Sequence, residues 1–175
     1  MPPTSLNRRA ALAATGAFAL GATLPLRPVA ARQDTADPLA GTVVTPLSGG
    51  APALVPDHQL LLLRVTMEPG VAIPPHSHPG PVALYVDQGL FGTEFFEGAG
   101  TVQPAPVDGT PVAAIEMAPG DDIQMLAGDH LFYDGAVHTM RNDGDDQLVL
   151  LVAALFDPDM PGFMFMNMDM GTPAS

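Results

Sequence analysis

The chain has 175 residues, of which 47% are hydrophobic, and this suits one domain with a sizeable core. Its formal net charge is −13 and lysine is absent, so the surface repels nucleic acid and anionic lipid. Cysteine is absent too, which excludes disulfides and leaves nitrogen, oxygen or thioether atoms as metal ligands. The 18 glycines and 20 prolines predict many turns and argue against long helices.

Residues 1–31 have the features of an export signal. Arg8 and Arg9 precede an apolar stretch rich in alanine and glycine, and small residues lead up to a cut after Ala31. The arginine pair resembles a twin-arginine signal. The apolar run is short for a ~20-residue span and contains Pro25, which disfavours a membrane anchor. We expect the segment to be removed and the mature protein to be exported to the periplasm, cell envelope or medium, without a stable membrane span.

Three segments follow the signal. Residues 32–57 are predicted to form an arm or linker, and residues 157–175 a Met-rich C-terminal tail. Between them, residues 58–156 contain about eight to ten short apolar segments separated by glycine and proline, with no sustained helical spacing. This pattern predicts an all-β domain, either a sandwich or a jelly-roll β-barrel.

Two histidines one residue apart mark the candidate site. His76 and His78 lie in the stretch PHSHPGPVALY, where a strand is predicted. On a strand, this spacing places both side chains on one face, about 6–7 Å apart. Imidazole nitrogen suits iron, copper, zinc and nickel. His138 is the strongest candidate for a third ligand, so the sequence predicts a three-histidine metal site.

The two histidine segments together resemble the paired motifs of the cupin superfamily. This resemblance covers residues 58–156 and implies a jelly-roll β-barrel, with two ligand histidines from the first motif and one from the second, all pointing inward. It also implies a homodimer, because cupins often pair through edge strands. The matching residues are Gly70, His76, His78 and Gly89 in the first motif and Gly128, Asp129, Gly135, His138 and Asn142 in the second.

The chain departs from the cupin pattern at one ligand. Cupins supply a glutamate three residues before an aromatic, which here is Tyr85, so Val82 takes the glutamate position. Val82 shares strand parity with the two motif histidines and is predicted to face inward. Without a carboxylate, a divalent ion keeps its full charge and is a stronger Lewis acid with one more open position. Such a site disfavours manganese and favours iron, copper or zinc.

Other residues are secondary candidates for lining the pocket or binding the ion. His130 would share parity with His138 on an unbroken strand, but Gly135 interrupts the run. Asp134, which replaces a proline of the second cupin motif, is a candidate fourth ligand or general base, as are Glu94 and Glu97. Such acids are more often solvated turn or strand residues. Tyr85 completes this set, together with the Val82 position.

Methionines occupy every second position from 164 to 170, so they share one side of an extended chain. Thioether suits Cu(I), but the favoured interpretation is apolar packing over the barrel mouth or in a dimer contact.

Two functions remain open from the sequence. The first is an exported enzyme that resembles three-histidine cupin dioxygenases, with iron or copper orienting an anionic small molecule. The second is a non-catalytic cupin module that captures a small ligand or copper. Whether the protein is an enzyme is left undecided, since no acid–base partner is identifiable. A cysteine nucleophile, a Gly-x-Ser-x-Gly elbow and a lysine-containing phosphate loop are all missing.

Overall fold

The computed structural model describes residues 37–166, which contain twelve β-strands. Within this range, no helix has the length and apolar character that a membrane crossing requires. The predicted signal, residues 1–31, lies outside the described residues, so its removal and the export of the protein stay predictions. The strands are β1 (Thr42–Gly50), β2 (Gln59–Met67), β3 (Ala72–Ser77), β4 (Val82–Gln88), β5 (Leu90–Glu97), β6 (Gly100–Gln103), β7 (Ile115–Met117), β8 (Asp122–Leu126), β9 (His130–Tyr133), β10 (Val137–Asn142), β11 (Leu148–Phe156) and β12 (Met164–Phe165).

The strands form two antiparallel sheets. The larger has the order β1-β2-β11-β4-β9-β6-β7, and the smaller the order β12-β3-β10-β5-β8. Neighbouring strands such as β2 and β11, or β3 and β10, are distant in sequence, because the chain crosses repeatedly between the sheets. This arrangement confirms the predicted all-β jelly-roll class.

Alternation of side chains along strands such as β4 and β11 separates the core from the outer surface. In β4, Val82, Leu84 and Val86 are buried, whereas the intervening Ala83 and Tyr85 are exposed. The same alternation runs along β11. Because successive strand side chains point to opposite faces, each sheet has one apolar face, and the apolar faces of the two sheets pack on each other. The largest fully buried core side chains include Phe91, Phe95, Met67, Ile73 and Met125.

Both segments flanking the predicted barrel contribute strands. The arm predicted for residues 32–57 contains β1, which pairs with β2 and forms one edge of the larger sheet. The register shifts between Pro46 and Ser48, and an edge strand tolerates this irregularity because proline there costs no ladder bond to a second neighbour. The tail contributes β12, which forms one edge of the smaller sheet.

Candidate metal centre

The structure brings the three predicted histidines together. His138 on β10 lies directly opposite His76 on β3, and His78 follows the end of β3. The ring centroid of His76 is 4.7 Å from that of His138 and 5.0 Å from that of His78. The centroids of His78 and His138 are 5.6 Å apart. One nitrogen from each ring lies within 4.8 Å of the other two. Three nitrogen donors therefore face one small volume between the sheets.

Main-chain oxygens fix the rings of the two histidines from the first segment. The Nδ1 atom of His76 donates to the carbonyl of Pro74 at 2.8 Å. That of His78 donates to the carbonyl of Gly162 at 2.7 Å. Since a carbonyl oxygen only accepts hydrogen bonds, Nδ1 carries the proton in both neutral rings. The Nε2 atom of each ring is then left with a free lone pair.

The third histidine is held in the same way. The Nδ1 atom of His138 lies 3.0 Å from the carbonyl of Thr139 and 3.3 Å from the hydroxyl oxygen of Thr93. The Thr93 hydroxyl donates to the Thr139 carbonyl at 2.8 Å, so its lone pairs are free to accept from His138. Histidines that bind metals in proteins generally donate their second ring N–H to such oxygens.

Two of the remaining nitrogens are buried without a partner. Among the described residues, nothing hydrogen-bonds to Nε2 of His76 or Nε2 of His138. Buried polar atoms in native proteins are almost always satisfied, because leaving one unpaired costs about 1–3 kcal/mol. Coordination of one cation by the three Nε2 atoms accounts for both orphans, so the residues present fit a metal ion.

The histidines are neutral at pH 7. Burial lowers the pKa of His76 to about 4, with a smaller lowering from nearby His78 and an opposing effect of the Pro74 carbonyl. Burial, followed by the two neighbouring imidazoles, holds the pKa of His138 well below its ordinary value. Burial also lowers the pKa of His78. A neutral imidazole is the form that binds a metal, so the cluster needs no deprotonation to do so.

The cluster contains no carboxylate. Among the described residues, the group of converging ligand atoms comprises His76, His78 and His138, without aspartate or glutamate. Val82 occupies the position predicted for the missing glutamate, with only 1% of its surface exposed, and it faces inward as expected. Three neutral nitrogen donors suit iron, copper or zinc better than manganese, which prefers oxygen.

An apolar cavity of about 30 Å³ adjoins His78. It has room for about one or two water molecules. The ring of Phe156 is stacked on that of His78, with centroids 5.5 Å apart and planes inclined by 10°. The walls, which also include Val82, Tyr133 and Phe163, restrict what can approach the histidines.

Two aromatic residues beside the site are additional to the predicted set. The ring centroid of Tyr133 is 4.6 Å from that of His138, and burial raises its pKa, so the phenol is neutral at pH 7. Its inward direction follows from alternation with buried Leu131 on β9, a signal present in the sequence HLFY. Phe163 lies 5.1 Å from both His76 and His78, and no periodicity in the tail marked it.

The secondary candidates do not join the histidines. Tyr85 and His130 are exposed cross-strand partners on the outer face of the larger sheet, where they line a groove of about 480 Å³. His130 alternates with buried Leu131, so it points outward, and the turn after Tyr133 breaks its parity with β10. Asp134 is exposed in that turn.

The structure describes two of the four alternating tail methionines. Met164 pairs with Ser77 in β12, and Met166 is 42% exposed. Met168 and Met170 lie outside the described residues, so a copper-binding role of the row stays a prediction.

No family model and no curated protein matches the chain. Several solved structures are similar. Oxalate decarboxylase from Lactobacillus farciminis in complex with formate is 20% identical, with a TM-score of 0.39 over 62% of this chain and 27% of that chain. The DMSP lyase DddQ from Ruegeria pomeroyi DSS-3 is 19% identical, with a TM-score of 0.41 over 71% of this chain and 51% of that chain. A salicylate 1,2-dioxygenase mutant from Pseudoaminobacter salicylatoxidans is 12% identical, with a TM-score of 0.44 over 66% of this chain and 27% of that chain. The chain thus spans between 27% and 51% of these proteins' lengths.

Proposed function

We propose that this protein is an exported, cupin-like metal protein that acts as a small-molecule oxygenase. His76, His78 and His138 are the proposed ligands of an iron, copper or zinc ion, with iron or copper required for oxygenase chemistry. The observation that carries the proposal is the pair of buried, unpartnered Nε2 atoms in a cluster whose Nδ1 atoms are all fixed by oxygens.

The surrounding residues determine what such a site accepts. A bound iron or copper ion supplies Lewis-acid and redox chemistry. Because the three imidazoles are neutral and no carboxylate joins them among residues 37–166, the site favours a substrate that brings its own negative charge. Val82 and Phe156 make the cavity wall apolar, which strengthens that attraction. Tyr133 borders the cavity and keeps its proton, so it serves as a hydrogen-bond donor.

A non-catalytic module that captures a small ligand or copper is the second candidate. The cavity of about 30 Å³ favours its copper-binding version, because the cavity is too small for an organic molecule as the chain stands. The histidine cluster also has no acidic residue, among those described, that would act as a general base.

Metal analysis with paired histidine variants tests the proposal. The purified mature protein should contain close to one transition metal ion per chain, and the double variant His76→Ala/His78→Ala should contain none. His58→Ala/His130→Ala is the matched control, since it removes the same number of histidines from exposed or partly exposed positions. Its metal content should equal that of the unmodified protein.

Oxygen consumption with small organic acids separates the two candidates. Uptake by the metal-loaded protein that is lost in His76→Ala/His78→Ala supports the oxygenase. Bound metal without uptake favours the capture module. If the protein binds no metal after reconstitution with iron, copper and zinc, the metal site is contradicted both for the oxygenase and for the copper-capturing module.

Export and self-association are parts of the proposal with their own tests. Residues 1–35 fused to a reporter should direct it through the twin-arginine route, and a twin-lysine variant of Arg8 and Arg9 should block it. A homodimer is proposed from the cupin resemblance, and it is supported by exposed apolar side chains at Leu62, Tyr85 and Phe132. Sedimentation of the mature protein measures its mass directly.

A further inference from the structure

The segment of residues 157–166, which we call the C-terminal strap, is attached to the histidine-bearing strand β3. Its strand β12 pairs with β3 in a register that puts Phe165 opposite His76. Beyond this pair, the Met166 N–H donates to the Pro75 carbonyl at 3.0 Å. The strap therefore runs along the edge of the strand that ends at two of the three proposed ligands.

The strap also supplies the hydrogen-bond partner of a proposed ligand. The Gly162 carbonyl accepts the 2.7 Å hydrogen bond from Nδ1 of His78, across 84 positions of sequence. Such a partner fixes the tautomer and the orientation of a ligand ring, and losing it typically weakens metal binding 10- to 100-fold. Gly162 is therefore a positioning residue, since it acts on the site through His78.

The aromatic residue after Gly162 covers the histidines. The Phe163 ring lies 5.1 Å from the rings of both His76 and His78. It lines the cavity of about 30 Å³ together with Val82 and Phe156. With the strap in place, a water-sized or diatomic molecule fits beside His78, whereas an organic molecule requires Phe163 to move.

We infer that the strap is a lid whose docking is coupled to metal binding and whose Phe163 sets the size of the exogenous ligand. This inference rests on the metal site proposed above. The docked strap holds His78 in the metal-binding tautomer, so docking raises metal affinity. By reciprocity, bound metal stabilises the docked strap to the same extent. Ligands larger than a diatomic molecule must displace the Phe163 ring to reach the metal, whereas water-sized and diatomic ligands bind with the ring in place.

Two truncations measure the first half of the coupling. A chain that ends at Asp159 lacks Gly162 and Phe163, whereas a chain that ends at Met166 keeps the whole strap. We expect Zn²⁺ affinity, measured by competition with a chromogenic chelator, to fall 10- to 100-fold in the first and to stay unchanged in the second.

Amide hydrogen exchange on the full-length protein measures the reciprocal half. The amides of residues 163–166 should exchange more slowly with Zn²⁺ than with EDTA, by a factor similar to the affinity loss on truncation. Those of β8, at the opposite edge of the smaller sheet, report general stabilisation by the metal and should change less. This comparison needs no truncated chain and decides the question even where the shorter variant fails to fold.

A pair of strap variants tests the size limit. With Co²⁺ bound, added imidazole should alter the visible absorption of Phe163→Ala but not that of the unmodified protein or of Met160→Ala. Met160 is the matched control, because it belongs to the same strap but is 46% exposed and does not line the cavity.

The outcomes distinguish the lid from the site itself. If the full-length protein binds no Zn²⁺, the metal site fails and the lid fails with it. If Zn²⁺ binds equally well to both truncations, or residues 163–166 gain no more protection than β8, the lid alone is refuted. Imidazole binding to the unmodified Co²⁺ protein refutes the role of Phe163.

Discussion

The histidine side chains are positioned by oxygens of the main chain and one threonine rather than by carboxylates. Pro74, Gly162 and Thr139 each offer a carbonyl to one Nδ1 atom, so the tautomer of each ring is set by backbone geometry. Burial lowers the pKa values of the three rings, and the hydrogen bonds to these uncharged carbonyls, which act in the opposite direction, do not offset it. The site therefore stays uncharged until a cation enters.

Restoring a carboxylate should change the metal preference. Val82→Glu would place an oxygen donor and a negative charge in the cavity beside His78. We expect Mn²⁺ affinity, measured by calorimetry, to rise at least tenfold, because Mn²⁺ prefers oxygen ligands. Without metal, the variant should unfold at a lower temperature, since burying an unpaired carboxylate costs several kcal/mol.

Val86→Glu is the matched control for this substitution. Val86 is also fully buried on the inner face of β4, but it does not line the cavity beside His78. Mn²⁺ should restore the thermal stability of Val82→Glu, whereas the control should lose thermal stability and not recover it in Mn²⁺. Equal recovery of both variants, or of neither, would contradict the placement of Val82 at the ligand position.

At the level of single residues, strand parity explains what the sequence predicted. His76 and His78 both lie on the inner side, as their even spacing predicts. Val82 also faces inward, but it does so through the alternation along β4 in the other sheet. His130 fails the same test only because a turn at Asp134 and Gly135 resets the parity between β9 and β10. The Gly162 carbonyl had no sequence signal at all, because a backbone atom has no residue type and its partner is 84 positions away.

At the scale of elements, the link between β3 and β4 carries His78 and connects the smaller sheet to the larger sheet. Gly80 lies in this link with φ at +155°, and a Cβ there would sit 2.1 Å from the carbonyl oxygen of Leu155. The Leu155 N–H donates to the neighbouring Pro81 carbonyl at 3.1 Å, so the two backbones approach closely at this point. Only glycine fits without a shift of β11 or of the segment that carries His78.

Adding one methyl group at this link should therefore destabilise the fold. We expect Gly80→Ala to lower the free energy of unfolding in urea by more than about 1 kcal/mol, because a native conformation incompatible with alanine outweighs the entropic benefit. Gly50→Ala is the control, since a Cβ there meets nothing within 4 Å and its φ is not positive. It should be neutral or slightly stabilising. If the Gly80→Ala protein is as stable as the control, the close approach of the Gly80 and Leu155 backbones does not require glycine.

Two strands outside the predicted barrel, β1 and β12, were not predicted. β1 and β12 each form an edge of a sheet, and their sequences contain proline, glycine or too few apolar residues to stand out. An edge strand is held by one neighbour and needs less intrinsic propensity than a central strand, so pattern reasoning misses it. Central strands such as β4 and β11 alternate clearly and could be located from sequence alone.

At the scale of the whole molecule, the buried histidines link stability to pH. In the unfolded chain a histidine titrates near pH 6.5, whereas in the folded metal-free protein burial lowers the pKa of His76 to about 4 and also lowers those of His78 and His138. Below pH 6.5 the unfolded state thus binds more protons than the folded state. Stability is then fully present above pH 6.5 and is lost as the pH falls toward 4.

Urea unfolding of the metal-free protein in EDTA, from pH 7.5 to pH 4.5, should show this loss. Between pH 6.5 and pH 4, His76 alone should lower the free energy of unfolding by roughly 3 kcal/mol, at about 1.4 kcal/mol per pKa unit. His76→Ala/His78→Ala should show a shallower slope than the unmodified protein, because two of the three buried imidazoles are gone. His58→Ala/His130→Ala should keep the original slope. Identical slopes in the two double variants would mean that carboxylates, and not the histidine cluster, govern the acid sensitivity of the fold.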